Sequence, residues 1–231
     1  MSFDLSDGLL WYVVFLYSTV CHEAAHAWTA MKLGDDTAYR GGQVSLDPLP
    51  HIRREPLGMV AVPLILFFSA GWMMGWASAP YNPQWAIQFP RRSAIMALAG
   101  PAANLVLVLL SGLMLRVGVE WHLWQEPFHL TFSHLADSLA GGLYPWLATL
   151  LSIIFSLNLL LAVFNLLPLP SLDGSSWPLL FLHGQAAQKY MAFMSNPSFR
   201  IVGLLVAWQG FSYLFSPIRQ IVMQVLYPQA G

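Results

Sequence analysis

The sequence predicts an all-α polytopic membrane protein, a helical bundle of about four to six transmembrane segments with a re-entrant segment and a small membrane-associated β element. Hydrophobic residues make up 57% of the 231 residues and charged residues only 9%, which is typical of integral membrane proteins. Several apolar stretches are long enough to span a bilayer, and Pro and Gly interrupt one of them. The chain has room for one membrane domain, 1–231, and little for a soluble domain beside it.

The elements follow from hydropathy and from helix breakers. A first helix is predicted near 9–33, where a glycine and two aspartates end the apolar run. A polar segment, 35–56, follows, and its alternation at 41–46 indicates a short strand. A loop with amphipathic character is expected at 119–138, and Pro217 is expected to kink or end the last helix. Further unbroken helices are predicted at 92–118, 140–167 and 198–226.

Segment 57–79 is apolar but contains one proline and two glycines. If it returns to the side from which it starts, eight of the ten Lys and Arg residues lie on one side of the membrane, with only Arg116 and Arg219 opposite. This is a strong positive-inside pattern, whereas a full crossing would scatter the basic residues. We therefore predict that 57–79 is re-entrant, that the amino terminus is outside, and that 35–56 and 169–197 are inside.

An H-E-x-x-H pattern, His22-Glu23-Ala24-Ala25-His26, lies inside the first apolar run. Histidines four apart lie on one helix face and can share a metal ion, with the glutamate placed to take a proton from water. Ionisable groups at membrane depth are costly and indicate a functional site. A chance match in a packed helix and a metal site that only stabilises the fold are the alternatives, and catalysis is the working hypothesis.

A catalytic zinc site needs a third protein ligand and an open position. Asp173 is the best candidate, because it follows an apolar helix that Pro168 and Pro170 break, and broken helices let a side chain turn inward at membrane depth. The other aspartates lie in polar flanks or in the predicted outer loop. The alternative for Asp173 is an N-cap of a short helix within 174–183.

With these residues the chain resembles the site-2 protease family of intramembrane zinc metalloproteases. The motifs are His22-Glu23-x-x-His26, Gly100-Pro101-Ala102-Ala103-Asn104, and Asn165-x-x-Pro168 followed by Leu172-Asp173-Gly174. The resemblance implies Zn²⁺ held by His22, His26 and Asp173, with Glu23 as general base. It also implies that Asn165 contacts the substrate or the developing oxyanion, and that membrane-spanning substrates are cleaved. The run 42–52 looks like the compact subgroup without PDZ or CBS domains.

The sequence departs from that subgroup in three places. Asp47 stands where the subgroup usually has Asn. His51-Ile52-Arg53-Arg54-Glu55-Pro56 replaces its His-Ile-Asp-Pro, and Ser175 replaces the second glycine that often follows Leu-Asp-Gly. None of these changes removes a predicted ligand or the base. The loop beside the site can differ, so the substrate preference stays open.

Other polar residues have a structural and a functional interpretation. His51 is either a contact near the cleft or, as we prefer, a loop histidine bonded to backbone. Gly100 and Asn104 are predicted to let two helices approach closely, with the amide bonding across their interface. Cys21 points away from the ligand face by about 100° and is expected to be a core residue. The histidines without a partner at metal-ligand spacing are predicted to be surface or satisfied residues: His122, His129, His134 and His183.

The predicted activity is hydrolysis of peptide bonds in or near transmembrane segments. The predicted partners are a transmembrane protein substrate, which strand 41–46 is expected to hold extended by strand addition, and the lipid bilayer. A net charge of −1 gives no reason to expect nucleic acid. The predicted location is the bacterial plasma (inner) membrane, with several crossings.

Two rival functions are considered. A divalent-metal transporter also carries His and Asp within a membrane, but it does not need a glutamate between two zinc histidines, and no inverted repeat is visible. A catalytically silent scaffold is the other rival, and the intact Glu23 argues against it.

Overall fold

The computed structural model describes residues 5–228, and most of them are helical. The helices are α1 (Leu5–Leu33), α2 (Thr37–Arg40), α3 (Pro48–Arg54), α4 (Leu57–Ala70), α5 (Pro83–Gln88), α6 (Pro90–Glu120), α7 (Tyr144–Asn165), a 3₁₀ helix (Asp173–Leu180), α8 (Gly184–Met194) and α9 (Pro197–Leu226). The strands are β1 (Trp124–Gln125) and β2 (Asp137–Ser138). The four long helices predicted from hydropathy are confirmed, with bounds that differ by a few residues.

Helix α6 packs along both α1 and α7, and α1 also contacts α7. Phe15 of α1 is fully buried against Ile153 and Leu157 of α7, so the apolar faces of these helices form a continuous core. Among the described residues, α6 and α7 are each long and apolar enough to cross a bilayer. Their length and composition agree with a membrane protein, and a bundle of four to six spans stays a prediction.

Proline and asparagine start several helices. Proline occupies the first turn of α5, α6 and α9, where its missing N–H leaves no bond unmade. Asn82 and Asn196 cap α5 and α9 through their side chains. Helix α9 continues past Pro217 to Leu226, so the proline does not end it. Phe215 is buried in the core shared with α6 and α7, and this packing opposes the cost of an internal proline.

Segment 57–79 folds back on itself. Helix α4 opens with five π-helical residues and continues with nine α-helical ones, and at about 1.5 Å per residue it is shorter than the ~30 Å core of a bilayer. The chain after it is extended and returns along α4, where the Trp76 N–H donates to the Gly58 carbonyl over 3.2 Å. A side chain at Gly75 would collide with that carbonyl. The return to the starting end agrees with the re-entrant prediction.

The predicted strand at 41–46 is wrong. The Gln43 N–H donates to the Ala38 carbonyl over 3.0 Å and thereby closes a turn after α2. The next residues form bends up to the start of α3. Alternating residues make a strand only when a neighbouring strand pairs with them, and none does here. The two-stranded sheet lies instead in the predicted loop 119–138, where Trp124 faces Ser138 and Gln125 faces Asp137 in antiparallel register.

Candidate metal centre

Three buried ionisable side chains lie close together in the second half of α1. His22 and His26 are one helical turn apart, and their ring centroids are separated by 4.6 Å. One ligand atom from each of His22, Glu23 and His26 lies within 4.8 Å of the others. All three side chains are buried. Two imidazoles and a carboxylate are costly to bury without a counter-charge or a metal ion.

Asp173 reaches this cluster from the 3₁₀ helix. Its Oδ2 lies 3.1 Å from His22 Nε2 and 3.4 Å from His26 Nε2. The N-cap position of the 3₁₀ helix is Leu172, so the N-cap alternative for Asp173 is wrong. The Tyr190 hydroxyl donates to the Ser175 carbonyl over 2.6 Å and fixes this helix to α8. Burial raises the pKa of Tyr190, so the hydroxyl stays protonated near neutral pH.

The three converging atoms fit a tetrahedral zinc ion. The two Nε2 atoms of His22 and His26 are 3.0 Å apart, and Asp173 Oδ2 lies at 3.1 and 3.4 Å from them. Zinc binds nitrogen and oxygen at about 2.0–2.2 Å, so two ligands of a tetrahedral site lie roughly 3.3–3.5 Å apart. The observed triangle is close to one face of that tetrahedron. The fourth corner would remain open, as a catalytic site requires.

The hydrogen bonds behind the histidines determine which nitrogen faces the site. His22 Nδ1 is 2.5 Å from Asn104 Oδ1, and His26 Nδ1 is 2.8 Å from the Met96 carbonyl. Both partners accept, so each Nδ1 carries a proton, which leaves each Nε2 as the nitrogen that can bind a metal. Two imidazole nitrogens and a carboxylate that face one another need a cation between them, and the spacing of the three atoms is compatible with zinc in that place.

Gly100 of α6 provides the space beside this triangle. A Cβ atom built on Gly100 would lie 2.5 Å from His22 Nε2 and closer still to His26 Nε2. Metal–nitrogen bonds are about 2.0–2.1 Å long, so a side chain at this position would compete with the metal. The sequence favours helix packing over a catalytic role for Gly100, and the structure places it against both predicted histidine ligands.

The site opens into a cavity of about 960 Å³. The lining includes every residue that the sequence predicts for the site: His22, Glu23, His26, Asn165 and Asp173. The other walls come from the start of α6, the end of α7, the segment after α4, α8 and the first half of α9. The cavity therefore joins the predicted ligands, the predicted base and a surface large enough to hold a peptide segment.

The other histidines lie away from the site. His51 is fully buried, and its Nε2 donates to the Ser45 carbonyl over 3.1 Å; it does not line the cavity. This agrees with the interpretation of a loop histidine bonded to backbone. The remaining histidines are exposed, as expected: His122, His129, His134 and His183.

Comparison with known proteins identifies relatives. The chain is 35% identical to a Bacillus subtilis (strain 168) protein named Putative zinc metalloprotease YwhC over 163 residues, which are 70% of this chain and 64% of the relative. It is 30% identical over 160 residues to a Mycolicibacterium smegmatis (strain ATCC 700084 / mc(2)155) protein named Putative zinc metalloprotease Rip2, covering 69% of this chain and 52% of the relative. The chain is thus similar, over about 70% of its length, to proteins named zinc metalloproteases. These names agree with the metalloprotease resemblance that the sequence motifs indicate.

The chain spans somewhat under two thirds of the YwhC relative and about half of the Rip2 relative. No family model matches the sequence, and no solved structure gives a significant match. The names of the metalloprotease relatives support Zn²⁺ as the cofactor, in agreement with the spacing of the ligand atoms.

Proposed function

We propose that this protein is a zinc-dependent intramembrane endopeptidase that hydrolyses peptide bonds in or near transmembrane segments of other membrane proteins. The convergence of His22, His26 and Asp173 beside Glu23 in one large cavity carries this proposal. The metalloprotease relatives and the two apolar helices of spanning length support it.

The chemistry follows from the residues around the cavity. His22, His26 and Asp173 would hold zinc, which when bound polarises the scissile carbonyl and activates water for attack. Glu23 accepts a proton from the attacking water as its oxygen bonds to the carbonyl carbon. When the C–N bond breaks, Glu23 delivers that proton to the departing nitrogen. Asn165 lines the same cavity, where its amide can donate a hydrogen bond to the substrate or to the developing oxyanion.

A transmembrane helix hides its amides in internal hydrogen bonds, so the substrate must unwind before attack. The extended segment after α4 lines the cavity and takes the place of the wrongly predicted strand 41–46. Trp76 N–H bonds to Gly58, and the Ser78 carbonyl accepts from Gln43 Nε2 over 3.1 Å. In an extended chain alternate residues face opposite sides, so the N–H and C=O groups of Ala77 face away from these bonds. This free edge would hold the substrate by strand addition.

Ala77→Pro tests the edge, because it removes one donor while the bonds of Trp76 and Ser78 remain. The cleavage rate at low substrate concentration is expected to fall about 2- to 10-fold, the effect of one backbone hydrogen bond. Zinc content should not change. Ala77→Val keeps the N–H and serves as the control. If Ala77→Pro is folded and cleaves its substrate at the native rate, strand addition at this residue is excluded.

The proposed location is the bacterial plasma membrane, with several crossings. At one end of the bundle Arg92 donates to the Leu33 carbonyl over 3.1 Å, and Ala94 packs against Leu179 and Ala187. At the other end Trp11 donates to Ser133 over 3.1 Å. The polar segments after α1 and after α7 therefore lie at one end, and the loop between α6 and α7 lies at the other. The positive-inside pattern assigns the first end to the cytoplasm.

Single cysteines in a Cys21→Ser chain test this topology. In intact cells a membrane-impermeant thiol reagent is expected to label Phe128→Cys, and to label Tyr39→Cys and Phe181→Cys only after permeabilisation. All three positions are exposed. Labelling of Tyr39→Cys and Phe181→Cys from opposite sides would refute the re-entrant interpretation of α4 and its return segment.

The function itself is tested by comparing the membrane proteins of cells that carry the native chain with those of cells that carry Glu23→Gln. At least one membrane-spanning protein is expected to accumulate uncut in the variant, and its fragments in native cells should end in or near a span. A metal transporter or a silent scaffold predicts no such fragments. Identical fragment patterns in the two kinds of cell would contradict the proposal.

A further inference from the structure

A chain of buried hydrogen bonds runs from His22 across α6 to α7. His22 Nδ1 lies 2.5 Å from Asn104 Oδ1, and Asn104 Nδ2 donates to Asn158 Oδ1 over 2.7 Å. Asn158 Nδ2 donates to Ser18 Oγ over 2.9 Å and to the Ile154 carbonyl over 2.7 Å. Both asparagines are fully buried. Unpaired amide groups at such positions would be costly, so these hydrogen bonds fix the orientation of both amides.

The direction of every bond in this chain follows from its last member. The Ile154 carbonyl only accepts, so the Asn158 amide must turn its nitrogen toward it and its oxygen toward Asn104. Asn104 must then present nitrogen to Asn158 and oxygen to His22. That oxygen requires a proton on His22 Nδ1, which leaves the lone pair on Nε2, the atom that faces His26 and Asp173.

We propose that Asn104 and Asn158 are positioning residues that select the metal-binding tautomer of His22 and fix the plane of its ring. The proposal rests on the zinc site of the proposed function and adds two residues behind it. Helix packing alone would require only the bond between the two asparagines. The additional 2.5 Å contact to His22 gives the pair a role in metal affinity, since partners behind a ligand histidine typically contribute 10- to 100-fold.

The test measures the zinc dissociation constant of the detergent-purified chain by competition with a chelator, with zinc as the only added ligand. Asn104→Ala is expected to raise the constant 10- to 100-fold. Asn104→Asp keeps an acceptor for His22 Nδ1 but loses the donor to Asn158 Oδ1, so its zinc affinity should lie between those of the native chain and Asn104→Ala. Ser111→Ala is the control, because it removes a buried α6 hydroxyl that bonds only to carbonyls of its own helix.

Asn158 acts through Asn104, so its effect should disappear when Asn104 is absent. Asn158→Ala alone is expected to weaken zinc binding less than Asn104→Ala does, and the double variant should bind zinc as Asn104→Ala does. Additive effects on the binding free energy would show independent action and overturn the relay. The single Asn158 variant also provides a test if Asn104→Ala does not elute from size exclusion as a folded protein.

Native zinc affinity in folded Asn104→Ala, or affinity in Asn104→Asp as weak as in the alanine variant, would overturn the proposal. Zinc affinity is measured without a substrate. A chain that binds zinc as expected but cleaves nothing would refute the endopeptidase function and leave the positioning role intact. If the protein cleaves its substrate but Asn104→Ala leaves the zinc affinity unchanged, the positioning role is refuted and the endopeptidase function stands.

Discussion

Glu23→Gln is expected to lower the rate of peptide cleavage about 10²- to 10⁴-fold, the usual contribution of a general base, while zinc content stays near native. Glutamine has the shape of glutamate but cannot accept the proton of the attacking water at neutral pH. His22, His26 and Asp173 remain as ligands. The rate is measured on a purified membrane-spanning substrate, and the zinc by elemental analysis of the same sample.

Two further variants define the role of this carboxylate. Glu23→Asp withdraws it by about one methylene and should keep partial activity, since an intervening water can bridge the gap. Glu120→Gln is the matched control, because Glu120 is an exposed carboxylate paired with Arg116 at the far end of α6, and it should cleave at the native rate. Cleavage by Glu23→Gln at the native rate with zinc bound would make Glu23 a bystander and the proposed mechanism wrong.

The sequence was sufficient to predict the residues that the structure gathers around the cavity. Helical spacing alone places His22 and His26 on one face of α1. The prolines after α7 break the helix, and Asp173 turns inward from the segment that they create. The helical spacing and the break after α7 are local features, so a local pattern contains them. The contact of Asp173 with His22, 151 positions away, was expected from the need for a third ligand and from the resemblance.

Contacts between distant segments could not be read in the same way. The hydrogen bond from His22 to the side-chain oxygen of Asn104 joins residues 82 positions apart. Nothing in the sequence around Asn104 specifies which helix its amide faces. The alternation at 41–46 resembled a strand, but the partner that a strand needs is absent, and the turn after α2 uses its Gln43 N–H. One wall of the cavity forms because the chain returns along α4. This return depends on tertiary contacts and not on the local sequence pattern.

Gly100→Ala is expected to remove zinc almost as completely as His26→Ala, although the substitution adds one methyl group and changes no ligand. The added Cβ would lie 2.5 Å from His22 Nε2, well inside van der Waals contact and close to the position of the metal. Either the histidines move apart or the metal is excluded. We expect less than about a tenth of an equivalent of zinc per chain, against about one in the native protein, because three ligands in fixed geometry are needed to hold it.

Alanine favours a helix over glycine by about 1 kcal/mol, whereas an extra methyl group at a packed contact costs about 1–3 kcal/mol, so the net cost to folding is small. The variant should therefore elute from size exclusion as the native protein does. Gly112→Ala is the matched control: it lies on the same helix, and its Cβ would meet the Phe155 ring, a side chain that can shift. His129→Ala, at an exposed histidine, should also keep its zinc. A full equivalent of zinc in Gly100→Ala, held at native affinity, would mean that the metal does not lie between the Nε2 atoms of His22 and His26.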